Sequence, residues 1–135
     1  MNLREGWRLL RVKDYRPTTL FHAYHGSKCL VTDKLLRAVE RRVCNPGKKS
    51  LAGASMFLSG WHVLDSEDEC KAYLTRFKEL GDIVVCRVMV GNVRSKPRAV
   101  SSVQLARYMK ITSFDWINAL IEYEHIAVPF NLHNA

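Results

Sequence analysis

Two or three helices packed on one or two small, mostly antiparallel sheets is the α+β arrangement this sequence predicts, and three features predict it. Residues 59–92 read as strand, capped helix, strand. Candidate strands outnumber candidate helices along the chain. Several strands are joined by short turn-like segments rather than helical crossovers.

The 59–92 segment is the most sharply patterned. Trp61 to Leu64 is a short apolar run, and Asp65 and Ser66 then open a helix. The Ser66 hydroxyl is placed to accept from the Glu69 N–H, with the Glu69 side chain reaching back. Glu67, Asp68 and Glu69 sit where the helix dipole favours negative charge. Tyr73, Leu74, Phe77 and Leu80 recur at helical spacing, and Gly81 is placed for a left-handed cap. Ile83 to Val90 is β-branched and reads as a strand, closed by a Gly91-Asn92 turn.

Upstream, Trp7 to Val12 predicts a first strand ended by Tyr15-Arg16-Pro17, and Leu20 to Tyr24 a second extended run. Thr32 and Asp33 predict the start of a helix with Leu35, Leu36, Val39 and Val43 on one face. Asn45-Pro46-Gly47 stops it, and 48–55 is a small, basic loop. Met56 to Leu64 predicts a strand interrupted at Ser59-Gly60. Downstream, a strand is expected from Val103 through Ile111. Ser113 then opens a last helix carrying Phe114, Ile117, Leu120 and Ile121. Residues 126–132, broken by Pro129, read as an edge strand or docked tail.

With 135 residues the chain fits one domain, 1–135, with no linker or repeat dividing it. No apolar run approaches the roughly 20 residues of a bilayer span, and the first 14 residues lack a signal peptide's uninterrupted core. A soluble, cytoplasmic protein without membrane partners is the expectation. Cys29, Cys44, Cys70 and Cys86 form no close ligand pair, so reduced thiols are expected and no structural metal.

Charge is distributed unevenly. Residues 1–50 hold 12 Lys/Arg against 4 Asp/Glu, whereas the remaining residues nearly balance, so the whole surplus of +8 lies in the first third. Such a region suits an acidic protein surface or nucleic acid as partner, or else a solvated basic face. Arg37, Arg41, Arg42, Lys48 and Lys49 are the candidate partner-binding residues.

His25-Gly26-Ser27, Gly60-Trp61-His62, the Ser66–Leu80 helix and the Val84–Asn92 strand occur in an order that resembles the ADP-ribosyltransferase fold of poly(ADP-ribose) polymerase-like enzymes. The resemblance covers about residues 20–95. It implies NAD as cofactor, with His25, Gly26 and Ser27 at the nicotinamide ribose and Trp61 or His62 against nicotinamide. The polarising acid falls on Glu124, with neighbouring Glu122, or on a strand position held by the neutral Gln104. A carboxylate there would stabilise positive charge developing on the ribose. His62 to Ser66 also partly resembles a run in RNA 2′-phosphotransferases, whose phosphate-holding Arg and His residues would suit a basic chain. Each residue also admits a packing role: His25 in a turn, His62 bonded to backbone, Tyr73, Trp7 and Trp116 in the core, Glu122 and Glu124 solvated at a helix end.

No P-loop, GxGxxG, GxSxG or HExxH pattern is present. Two functions of different class follow. One is an NAD-using ADP-ribosyltransferase-like protein, whose catalytic residues would be His25 and Glu124. The other is a non-catalytic basic binding module, of the kind a small viral or mobile-element protein uses to inhibit a host protein or a nucleic-acid complex.

Overall fold

A hairpin opens the chain. In the computed structural model, which describes residues 1–20, 29–44, 56–97 and 101–127, strand β1 (Arg4–Lys13) turns at Asp14-Tyr15 into β2 (Arg16–Thr18). Both turn residues have positive φ, 51° and 64°, the signature of the two-residue turn whose twist matches that of paired strands. β3 (Leu35–Arg37), β4 (Arg42–Cys44), β5 (Met56–Leu58) and β6 (Trp61–Val63) follow as three-residue strands. Helix α1 (Glu67–Leu74) continues as a 3-10 stretch over Thr75–Leu80. The long strand β7 (Ile83–Ser95), β8 (Gln104–Lys110) and helix α2 (Ser113–Ala127) complete the described chain. No described helix is long and apolar enough to cross a membrane.

The sheet is antiparallel throughout, in the order β2-β1-β7-β8-β3. The outer edge of β8 is shared: β6 takes Gln104–Ala106 and β3 takes Tyr108–Lys110. Just past β6, Leu64 exchanges two 2.8 Å backbone bonds with Trp7 on the free edge of β1, so the sheet curls until its two ends touch. A separate two-stranded ribbon, β4-β5, adjoins it. Gly60, between β5 and β6, is required there. A Cβ would lie 2.8 Å from the Ala106 carbonyl oxygen, a backbone atom that cannot step aside.

The concave face of the curl carries the larger core, including Leu10, Trp61, Val63, Val88, Val90 and Met109. α1 covers a second cluster, Leu9, Leu64, Cys70, Tyr73 and Ile83, on the other face. The packing roles expected for Tyr73 and Trp116 hold, as both are buried, and Cys70 and Cys86 are buried free thiols.

Ser66 caps α1 by accepting from the Glu69 N–H at 3.1 Å, as its position predicts. Glu69 does not complete the box but bonds the Ser102 hydroxyl. The expected helix to Leu80 tightens after Leu74, because Phe77 leaves helical geometry. Gly81 leaves it at φ 62°, ψ 167°, a positive-φ region open to glycine, rather than in the left-handed helical cap expected.

Three other expectations are corrected. The helix starting at Thr32-Asp33 is absent. Leu36 is buried between exposed Leu35 and Arg37, a period-two pattern that pairs with β8 instead. Asp33 still acts as a cap, but a distant one: its Oδ1 accepts from the Ser113 N–H at 2.9 Å, at the start of α2. The Gly91-Asn92 turn is not a turn. β7 runs through it to Ser95, with Asn92 at φ 52° and a pairing gap opposite Arg107. Finally, α2 is capped by Thr112, whose hydroxyl accepts from the Asp115 N–H. It buries Trp116 and Ala119, leaving Phe114, Ile117 and Ile121 exposed. The run Phe21–Tyr24, the loop 48–55 and the tail after Ala127 lie outside the described residues.

Trp61 sits at the centre of the curl, fully buried, with its Nε1 donating to the Leu36 carbonyl at 3.2 Å. Trp61→Ala is expected to lower unfolding free energy by about 3–5 kcal/mol in urea melts followed by circular dichroism. A loss under about 1 kcal/mol would mean the ring is not the core's centre.

Candidate anion-binding site

Glu40 is the single acid between Lys34 and Lys49, and the fold gathers arginines around it. Arg37 ends β3, Arg107 lies on β8 and Arg94 on β7, so three adjacent strands each deliver one guanidinium. Glu40 Oε1 lies 3.1 Å from Arg107 Nε and 3.9 Å from an Arg37 terminal nitrogen, and Oε2 lies 3.4 Å from Arg94. The carboxylate is 13% exposed, whereas Arg37 is 64% exposed, so the cations face outward over a covered anion. Arg94 is held further by donating to the Leu58 and Ser59 carbonyls, each at 2.8 Å.

Ser59 anchors the next two arginines. Its N–H donates to the Arg41 carbonyl, and its hydroxyl accepts from the Arg41 N–H at 2.9 Å. Exposed Arg41 and Arg42 are thereby placed at the base of the β4-β5 ribbon, next to the Glu40 cluster in the chain. Three guanidiniums thus share one carboxylate, a surplus of two charges, and exposed Arg41 and Arg42 follow Glu40 directly in the chain. Lys48 and Lys49, in the segment joining β4 to β5, lie outside the described residues. A second basic strip, Arg11, Lys13 and Arg16, lines the β1-β2 hairpin, where Lys13 pairs with Arg16 across the turn.

The residues singled out for NAD chemistry are placed as follows. His25, Gly26 and Ser27 lie outside the described residues. Trp61 is a fully buried core residue whose ring is overlaid by Arg8, the guanidinium carbon 5.2 Å from the ring centroid. Arg8 is itself fully buried, donating to the His62 carbonyl at 3.0 Å and to the Thr19 hydroxyl at 3.2 Å. Burial lowers its pKa to about 10, which leaves it charged at neutral pH. Glu124 is exposed on α2, a helix rather than a strand. Glu122 pairs with Lys71 at 3.7 Å, and Gln104 accepts from Arg4 at 2.8 Å. Trp61 is thus buried in the core, while Glu124 is exposed on a helix.

His62 is half-buried, and Lys96 Nζ lies 3.2 Å from its Nε2. Burial first, then the positive charges of Arg8 and Lys96, push its pKa down to about 3. The ring is thus neutral at pH 7, and its Nε2 accepts from the ammonium. Among the described residues no group of three His, Cys, Asp or Glu side chains is arranged to hold a metal. No family model, curated protein or solved structure matches the chain.

Sequence reasoning found Arg37, Arg41 and Arg42 but not Arg94, Arg107 or the organising Glu40. The lone acid within a basic run was the available signal for Glu40.

Because the unfolded His62 titrates near 6.5 and the folded one near 3, the unfolded state binds more protons between those values, and stability falls as pH drops through that window. Between pH 7 and 5 the loss attributable to this residue is expected to approach about 2 kcal/mol. Urea melts of His62→Gln over the same range should show that part of the slope removed. An unchanged slope would locate the acid sensitivity elsewhere.

Proposed function

We propose that the protein is a non-catalytic nucleic-acid-binding module whose contact surface is the arginine cluster over Glu40, together with the base of the β4-β5 ribbon. The observation that supports it is the convergence of Arg37, Arg94 and Arg107 on one covered carboxylate, with Arg41 and Arg42 beside them. A guanidinium fork matches phosphate geometry, and holding the side chains in place beforehand lowers the entropy cost of binding. The basic strip on the β1-β2 hairpin adds cations away from this cluster. Spread charge of that kind suits a repeating phosphate backbone better than one compact acidic patch. Ordered arginines over a covered anion need no reaction to be useful.

The NAD-transferase reading rests on the order of short motifs over about residues 20–95, and His25 and Ser27, which carry it, are not among the described residues. We infer from the placements of Trp61 and Glu124 that binding is the better-supported reading.

Fluorescence anisotropy with labelled single-stranded and duplex oligonucleotides tests the proposal. The double variant Arg41→Gln with Arg42→Gln is expected to weaken binding and reduce the slope of log K against log salt by about two. Equal binding by the variant, or tighter capture of poly-glutamate than of any oligonucleotide, would point to another surface or an acidic protein. NAD at millimolar concentration is expected to leave the thermal midpoint unmoved. A rise accompanied by released nicotinamide would restore the enzyme reading.

A further inference from the structure

Among the described residues, the first half of β7 has no strand along one edge. The Val12 N–H donates to the Asp82 carbonyl at 2.7 Å, which makes residues 12 and 82 a hydrogen-bonded pair of the β1-β7 ladder. Bonded pairs recur at every second residue, so Val84, Cys86 and Val88 turn their backbone groups toward β1. Ile83, Val85 and Arg87 then turn theirs the opposite way. The odd residues of β1 obey the same rule, since Trp7 exchanges its bonds with Leu64 on the side away from β7. β8 reaches β7 only from Met89 onward, and no described backbone group bonds Ile83 or Val85 on that side.

A cleft of about 480 Å³ lies there. Val84 belongs to the core cluster inside the curl, whereas Ile83 and Val85 pack with the cluster on the other face, and all three line the cleft. A cleft that meets side chains from both faces of a strand runs along its edge. Leu74 of α1 forms one wall, and Ala119 and Tyr123 of α2 form the other. The Lys71–Glu122 pair, whose two residues also line the cleft, spans the two helices.

We propose that this edge is a docking site for an extended peptide from a partner protein, which adds as a strand beside Ile83 and Val85. The cleft offers N–H and C=O groups as residue pairs repeating at roughly 7 Å, the two-residue period of an extended chain. Apolar walls on both sides accept alternate side chains, and main-chain bonds supply the rest. An apolar small molecule would fill the walls but leave the edge donors and acceptors without partners. Val85 and Arg94 are nine residues apart along one strand, roughly 30 Å, so this site is separate from the arginine cluster.

A displayed library of linear eight-residue peptides, selected on the full chain and counter-selected on Val85→Pro, tests this. Val85 spends no N–H on the β1 ladder, so the substitution removes a cleft donor without removing a sheet bond. Enriched peptides should alternate apolar and polar residues and bind the variant at least tenfold more weakly. They should slow amide exchange at Ile83 and Val85, and they should lose affinity tenfold when N-methylated at the strand-facing amide. The N-methyl arm keeps the test decisive even if the variant folds poorly. Absence of enrichment, or protection elsewhere on the chain, overturns the proposal. So does concentration-dependent self-association giving the same protection, which would assign the edge to a second copy. Binding that requires removal of residues 128–135 would assign it to the chain's own end and overturns the proposal as well.

Discussion

Strand β8 is bonded along both edges, and its outer edge is divided between two short strands that are far apart in the chain. β6 occupies one half and β3 the other, while β7 runs along the opposite side. This divided edge bends the sheet, because β6 must also deliver Leu64 to Trp7 on β1. The same division puts Arg37, Arg107 and Arg94 on three neighbouring strands, within reach of one carboxylate. Core and surface site thus have a common origin in one strand's pairing.

The interior of the curl is not purely apolar. Arg8 is fully buried against the Trp61 ring and bonds the backbone of His62 and the side chain of Thr19. A buried cation is costly unless its donors are used, and its field reaches the neighbouring histidine. His62 is therefore neutral and serves as an acceptor for Lys96, so its chemistry is that of a structural joint. That is a physical reason to look to the exposed arginines, rather than to the His62 imidazole, for function.

The two proposed surfaces lie at opposite ends of β7. Near Arg94 the strand pairs with β8 alone among the described residues and carries a half-exposed charge. Near Val85 it pairs with β1 alone among the described residues and is flanked by helices. A binding module can use such a strand to hold two unlike partners at a defined spacing. Phosphate recognition and strand addition draw on different physics, the first weakened by salt and the second largely indifferent to it.

Local chemistry was legible in the residues themselves: the Ser66 cap, the β-branched β7, the break at Ser59-Gly60, the strand before the last helix and the basic first third all follow from side-chain shape, capping oxygens and charge. What depended on distant partners was not. Leu35 to Val43 has helical spacing, yet only the open edge of β8 made Leu35–Arg37 a strand, because pairing there buries Leu36. Apolar residues on two sides of α2 left its buried face undetermined until β7 selected Trp116 and Ala119. Likewise the five arginines come from segments as far apart as residues 37 and 107, and Glu40 acquires its role only when the sheet closes over it. Composition could announce that positive charge was plentiful. Where it converges is a property of strand order, which no local pattern encodes.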